Sequence, residues 1–542
     1  MIATSRLSRA MSKIVLKPAS SDSGSFVPQS LTAFREGYSL AKLKADALAG
    51  MTVAIVALPL SMAIAIASGA QPVQGLIAAI VGGFLVSALG GSRFQVGGPA
   101  GAFIVLVAST IEQYGYDGFL AATLLSGFIL LCIGYLRLGS LIRFIPHAVI
   151  VGFSGGIAII IGASQLKDFF GLKLTKEPAA LLAKLHALWD ARSTFSASAF
   201  ILSVACVGLI LICRYYRPRW PGFIFAVIFG ALATWMFNLP VETIGSKFGG
   251  IPDRLPMPHV PDISLATLRA ILPSAFTIAL LGGIESLLSA VLADKIADTR
   301  HRPNCEIVAQ GFANIGVALF GGLCATGTIA RTATNIRAKA ATPVAGIFHS
   351  VFILAFMLFA APLASYIPLS SLAAILMVVV WNMADREEFI QIIKHDRADS
   401  SVLLASFLLT IFVDLPTGIA AGVALGALIF MVRAAQTSSV EDIKGDGRTI
   451  RLRGALFTGT AAATADAFAL VLPQKDVITV DMDQVFLADA SAVPVLMAFV
   501  KRMQYAHCSV RFVNSKPSVA LVLQRDGMPA ELFQTLETGG ME

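Results

Sequence analysis

Apolar residues fill roughly the first four-fifths of the chain in long runs, and polar residues arrive in short clusters between them. The runs fall at 49–69, 73–89, 98–110, 118–138, 146–166, 196–213 and 220–237. A second set follows at 268–293, 306–320, 328–338, 343–360, 368–383, 401–412 and 418–432. A helix needs about 20 mostly apolar residues to cross a bilayer, so the pattern predicts a polytopic all-α membrane domain of about fourteen segments. Barrel strands would instead alternate over short stretches. Two segments are too short to cross alone: 98–110, opened by GGPAG, and 328–338, opened by CATGT. Each is third of seven in its set, and short, Gly/Pro-interrupted segments at matching positions point to the binding site of an inverted-repeat transporter.

From Val440 the pattern changes. Charges arrive together at Asp442, Lys444, Asp446, Arg448, Arg451 and Arg453. TIRLRGALF, DVITVDM and SVRFVN then read as strands, with SAVPVLMAFVKRMQYA and SVALVLQRDG as helices, the second stopped by Gly527. This predicts a soluble α/β module of about 100 residues, a normal domain size. The domains are therefore set at 1–46 for an N-terminal tail, 47–435 for the membrane domain and 436–542 for the module.

Composition agrees. Hydrophobic residues make up 56% of the 542 and charged residues 14%, against roughly 25% charged in soluble proteins. That excludes a single soluble domain, and also a disordered chain, which needs low hydrophobicity. A net charge of +8 would raise nucleic acid as a partner of a soluble protein, but cytoplasmic loops of membrane proteins accumulate Lys and Arg. Loops carrying Arg93; Arg137 and Arg143; Arg214, Arg217 and Arg219; Lys295, Arg300 and Arg302; Arg337 and Lys339; and Lys394 and Arg397 alternate with short loops that lack cations. They are placed on the side of the basic N-terminus, which puts both termini in the cytoplasm. The loop 167–192 carries several cations and fits that rule poorly. The tail holds Arg6, Arg9, Lys13 and Lys17 without an apolar core, so it reads as cytoplasmic and not as a signal peptide.

Six cysteines without a CxxC pair and seven histidines without HExxH suggest neither a disulfide framework nor a metal site. GGSRFQVGGPAGAF lacks the GK[ST] ending of a nucleotide-binding loop, which argues against ATP-driven transport. With no nucleophile–base motif either, the reading is a transporter and not an enzyme, with no cofactor. Asp46, His147 and Asp414 are expected at membrane boundaries, and DREEFIQIIKHDRAD as an interfacial amphipathic helix whose charges form a solvated face.

In TIARTATN, Thr328, Arg331, Thr332 and Asn335 recur at i, i+3, i+4, i+7 and form one polar stripe on a helix. A guanidinium stays charged, and near the bilayer centre it costs at least about 2.5 kcal/mol unless it faces a partner or a wet cavity. Arg331 is then either an anion attractor beside a helix start or a structural ion pair or snorkelling cation. In GGIESLLSAVLAD, Gly282, Glu285, Ser286 and Ser289 share a face. A carboxylate there is costly while ionised and can take up a proton. Glu285 therefore either couples transport to H⁺ or neutralises Arg331; the two roles can coexist.

These residues resemble a known family. DALAGMTVAIVALPLSMAIAIASG, GGSRFQVGGPAGAF, GGIESLLSAV and GLCATGTIARTATNIRAKAATPVAG are similar to the sulfate permease family, the SulP anion transporters related to prestin and pendrin. GALFTG and LADASAV resemble that family's C-terminal STAS domain. IESLL, an ARxxxNxRA run and WNM are shared with its bacterial proton-coupled C4-dicarboxylate transporters. The resemblance implies seven plus seven inverted segments in core and gate domains, a homodimer in the cell's inner (plasma) membrane, and a STAS domain with a regulatory or cytoplasmic-partner role. It implies a substrate site lined by Leu60 and Ile64 on the first segment, Ala100 and Gly101 on the third, and Gly327, Thr328, Ile329, Ala330 and Arg331 on the tenth. Glu285 and Ser289 match positions that are Asp and Thr in sodium-coupled bicarbonate members, and Glu at 285 favours H⁺ over Na⁺. Ala490 follows Asp489 where related STAS proteins carry a phosphorylated Ser/Thr, so that switch is not expected at that residue.

The expected function is secondary active transport of a small inorganic or carboxylate anion (sulfate, bicarbonate or C4-dicarboxylate) by elevator-like H⁺ symport. An uncoupled anion channel or exchanger and a nucleobase permease of similar architecture are the alternatives, and the Arg on the tenth segment argues against the second.

Overall fold

The computed structural model describes residues 26–139, 146–174, 178, 180–217, 220–261, 265–436, 439–442, 448–473 and 477–534. Arg6, Arg9, Lys13 and Lys17, and with them most of the expected tail, lie outside the described residues, as do Arg143, Arg219, Lys444 and Asp446. The chain divides into two compact units between Gly422 and Val423.

The first unit runs α1 (Gln29–Arg35), α2 (Leu40–Ala67), α3 (Pro72–Leu89), β1 (Gly97–Gly98), α4 (Ile104–Tyr135), α5 (His147–Phe170), α6 (Leu181–Asp190), α7 (Ala197–Tyr216), α8 (Gly222–Phe237) and α9 (Ile244–Phe248). It continues with α10 (Leu265–Ala297), α11 (Pro303–Leu319), β2 (Thr326–Gly327), α12 (Ile329–Arg337), α13 (Val344–Ala364), α14 (Leu369–Met383), α15 (Arg386–His395), α16 (Arg397–Phe412) and α17 (Leu415–Gln436), within which the division falls. Each apolar run of the sequence lies on one of these helices, and nine of the helices among the described residues are long and apolar enough to cross a membrane. The runs 98–110 and 118–138 share α4, whose backbone leaves helical geometry at Gly115 (φ 72°, ψ 177°). The first of them is thus a short half-helix, as its length predicted.

Several of the cation-bearing loops touch one another or α1. Arg93 pairs with Glu36 at 2.9 Å and donates to the Ala341 carbonyl at 3.2 Å. Arg302 donates to the Val27 carbonyl and to Thr32 Oγ1, and Asn304 Oδ1 accepts from the Gly139 amide. His147 meets Glu388 of α15 at 2.5 Å. The expected solvated face of α15 is exposed over most of its length, but Glu388 is ion-paired. Asp46, near the start of α2, is fully buried in the protein. Its carboxylate accepts from the amides of Ala341 and Thr342, from Thr342 Oγ1 and from the Tyr38 hydroxyl. A buried carboxylate is tolerated when donors surround it.

The second unit holds a sheet of β3 (Ser439–Asp442), β4 (Thr449–Leu456), β5 (Ile478–Asp481), β6 (Val485–Ala488), β7 (Val510–Val513) and β8 (Phe533–Gln534), with α18 (Thr458–Ala469), α19 (Ala492–Tyr505) and α20 (Pro517–Arg525). β4, β5, β7 and β8 run parallel in that order, β3 pairs antiparallel with β4, and β6 also pairs with β4. Alternation along β4 buries Ile450 and Leu452. With Val480, Phe512, Leu496 and Leu523 they form the core. The strands and helices read from the sequence all appear; β3, β6, α18 and β8 are additional.

Asp481 at the end of β5 accepts from Asn514 Nδ2 (3.0 Å), the Asp483 amide (3.2 Å) and Arg451 Nε (3.2 Å). Burial pushes its carboxyl up, but these donors outweigh it and hold the group below the usual carboxylate range. A depressed folded-state pKa contributes stability that is present above the unfolded value of about 3.9 and is lost as pH falls through the folded one. Asp481→Asn is therefore expected to lower the unfolding temperature of this unit by about 5 °C at pH 7. The gap to wild type should close as the pH falls through the depressed folded-state pKa. Thermal unfolding of the full-length protein across that pH range checks this, and a gap independent of pH contradicts the assignment.

Candidate functional site

The two short segments meet. β1 and β2 pair antiparallel, Gly97 with Gly327 and Gly98 with Thr326. Just beyond each strand its helix begins: a 3₁₀ turn at Gly101–Phe103 leads into α4, and Thr328 precedes the first residue of α12. Two helix starts, each with amides lacking an intrahelical acceptor, are thus held at one place inside the first unit. Such ends favour anions.

The polar stripe of α12 explains why the crossing is stable. Thr328 donates from its amide and hydroxyl to the Val96 carbonyl, and the Val96 amide donates to Thr332 Oγ1 at 3.2 Å. Asn335 Nδ2 donates to the Phe94 carbonyl at 2.9 Å. Three of the four stripe residues therefore lace this segment to residues 94–96, just ahead of β1. The polar face of α10 closes the arrangement from the other side. Thr326 Oγ1 donates to the Gly282 carbonyl, Ser289 Oγ to Thr332 Oγ1, and Gln95 Nε2 to the carbonyl and hydroxyl of Ser286. A buried carboxylate that the sequence reading did not single out, Glu306, accepts from the amides of Gly91 and Ser92, from Gln310 Nε2 and from Ser286 Oγ. Its donors come from three places in the chain, so it ties the crossing together.

Arg331 is different. It is 1% exposed, yet its partners are neutral: Nη1 donates to the Gly97 carbonyl at 3.1 Å and Nη2 to Ser61 Oγ at 3.0 Å. Its Nε has no partner. Glu285 bears on it electrostatically, but no hydrogen bond joins the two. Glu285 Oε2 is also buried without a partner. Around the crossing, then, sit an uncompensated guanidinium, a carboxylate oxygen lacking a donor, and two helix starts. Unpaired buried polar atoms are costly, and together they suit a small anion and a proton.

Of the residues expected at the site, Leu60 and Ile64 are buried on α2 one turn apart, flanking Ser61, which holds Arg331. Ala100, Gly327 and Thr328 are buried at the crossing, whereas Ile329 and Ala330 are exposed. Gly101 lies beside Met383 of α14, whose Sδ would sit 3.3 Å from a Cβ added there. Ser289 is already committed to Thr332. Ser61, Gln95 and Met383 were not singled out by sequence reasoning. Ser61 stands inside the first quoted motif as a polar exception in apolar surroundings, a signal that was available.

Comparison with known proteins follows the same lines. A family model described as Sulfate permease family matches residues 43–406, and one described as STAS domain matches 437–539. "Putative sulfate transporter YvdB" of Bacillus subtilis is 35% identical over 91% of this chain and 95% of its own length. "Bicarbonate transporter BicA" of Synechocystis is 29% identical over 78% of this chain and 80% of its own. A solved transmembrane domain of a cyanobacterial BicA superposes with a TM-score of 0.63 at 28% identity, covering 71% of this chain and 98% of that one. SLC26A9 shares the fold with a TM-score of 0.81 at 15% identity, covering 99% and 93%.

Proposed function

This chain belongs to the sulfate permease family, and we propose that it is a multi-pass, proton-coupled transporter of small anions that works by elevator-like alternating access in the plasma membrane. The observation that carries the reading is Arg331: fully buried, bonded only to neutral acceptors, with Nε free beside two paired helix starts. An oxyanion or carboxylate entering there would exchange its hydration for the guanidinium and the helix-start amides, which offer charge-assisted hydrogen bonds. Glu285, close enough to interact with Arg331 without a hydrogen bond to it, would carry the proton. Loaded, it adds no buried negative charge and the site can move; ionised, it holds the site back. Each proton brings about 1.4 kcal/mol per pH unit and about 2.3 kcal/mol per 100 mV.

Sulfate and bicarbonate are named for relatives, whereas IESLL, ARxxxNxRA and WNM favour a C4-dicarboxylate. A thermal-shift panel of sulfate, bicarbonate and succinate, at two pH values with and without sodium, ranks them, since a ligand stabilises once its concentration exceeds its dissociation constant. For the coupling, proteoliposomes given an inward proton gradient are expected to concentrate the anion. The Glu285→Gln variant should equilibrate it at best, with accumulation no longer following ΔpH. Uptake by that variant that still tracks ΔpH removes Glu285 from the coupling role.

A further inference from the structure

Away from the crossing, α7 and α14 end side by side, with Arg214 Nη1 donating to Asn382 Oδ1 at 2.8 Å. Together with the start of α15 these ends enclose an open groove of about 1040 Å³. Its floor is apolar, from Leu211 and Ile390, both exposed. Its rim is aromatic and charged. The Arg386 guanidinium lies 3.7 Å over the Trp381 ring, and Tyr215 stands exposed beside it. Trp and Tyr at the ends of apolar helices mark the membrane–water boundary, and α15 is amphipathic with no buried residue, as an interfacial helix should be.

The charges in this groove are not used up by one another. Arg214 is bonded to a neutral amide and Arg386 to a ring. Asp385 is engaged with Glu388, which pairs with His147. Glu387, on the groove wall, has no cation partner among the described residues. One site thus offers two guanidiniums, one free carboxylate and an apolar floor.

We propose that this groove binds the headgroup of phosphatidylethanolamine, with the phosphate between Arg214 and Arg386, the ammonium on Glu387 and an acyl chain along Leu211. Guanidinium matches phosphate geometry through paired N–H donors. The ammonium can pair with the exposed Glu387, whereas a choline headgroup has no N–H to donate and a glycerol headgroup brings no positive charge. The groove therefore selects a primary-amine zwitterion over both.

Native mass spectrometry of the purified full chain, titrated with phosphatidylethanolamine, phosphatidylcholine and phosphatidylglycerol of identical acyl chains, tests this. Wild type is expected to retain the ethanolamine lipid about fivefold better than the choline lipid, the scale of one exposed charge pair. Glu387→Gln should erase that preference while leaving phosphatidylglycerol unaffected or better bound. Arg386→Gln should weaken all three lipids. Both positions are exposed, so the fold is expected to survive, and equal melting temperatures check it. Equal retention of the ethanolamine and choline lipids by wild type, or a preference intact in Glu387→Gln, overturns the proposal. So does displacement of the lipid by inorganic phosphate alone, which would mark a site for the free anion.

Discussion

Replacing Arg331 by methionine is expected to raise the dissociation constant for the transported anion by about 100-fold and to abolish concentrative uptake. Removing one partner from a buried, hydrogen-bonded charge pair costs roughly 2–5 kcal/mol, and 1.4 kcal/mol is tenfold in affinity. Methionine keeps the long unbranched stem that fills the space among α2, β1 and α12, so the loss reports mainly the charge and its donors. Arg331→Lys separates the two: it keeps the charge but presents a point ammonium in place of a planar fork. It should therefore fall between wild type and methionine. The Gly97 carbonyl and Ser61 hydroxyl lose their donor in Arg331→Met, so some stability is lost as well. Anion-dependent thermal shifts, measured relative to each variant's own ligand-free melting temperature, remove that contribution. Affinity within twofold of wild type in the methionine variant would take Arg331 out of the site.

Much of this was legible in the chain. Apolar runs report burial in lipid directly, and each coincided with a helix. The short segments betrayed themselves through GGPAG and CATGT, because extended backbone in a bilayer needs partners, and here each supplies the other's. The stripe Thr328, Arg331, Thr332, Asn335 was also visible, but its meaning was not. Three of its members bond to residues 94–96, more than 230 positions away, and a periodicity argument says which face is polar without saying what it meets. The same limit hid Asp46 and Glu306. Nothing local to either carboxylate says that the loop amides of Thr342 and Ser92 fold onto it. In the C-terminal module β4, β5 and β7 were plain from alternation and apolar content. β6 does not alternate, burying Val485 and Ala488 at its ends and exposing the two residues between, and β8 is only two residues long, so neither carries a period.

Gly98→Ala is expected to silence transport nearly as completely as the loss of Arg331, although a single methyl is added. Gly98 holds φ at 151°, which L side chains rarely adopt, and a Cβ there would lie 1.6 Å from Arg331 Nη1 and 2.7 Å from its Cζ. The guanidinium is 1% exposed and pinned between Gly97 and Ser61, so it cannot yield while keeping its bonds. Either it leaves or β1 separates from β2, and both destroy the arrangement proposed to hold the anion. The facing position gives a second case: a Cβ on Gly327 would fall 1.3 Å from Gln95 Nε2, itself anchored to Ser286. A double-mutant cycle distinguishes displacement of Arg331 from general unfolding. If the methyl acts by expelling Arg331, the effects share one cause and cannot add. Gly98→Ala placed in the Arg331→Ala background should then lower anion affinity less than it does in wild type, since truncation leaves room for the methyl and only the strain of the φ of 151° remains. Gly327→Ala in that background should retain its full effect, because Gln95 is still in the way. Additive losses at Gly98, or wild-type uptake by Gly98→Ala alone, would show that the strand crossing does not position the guanidinium.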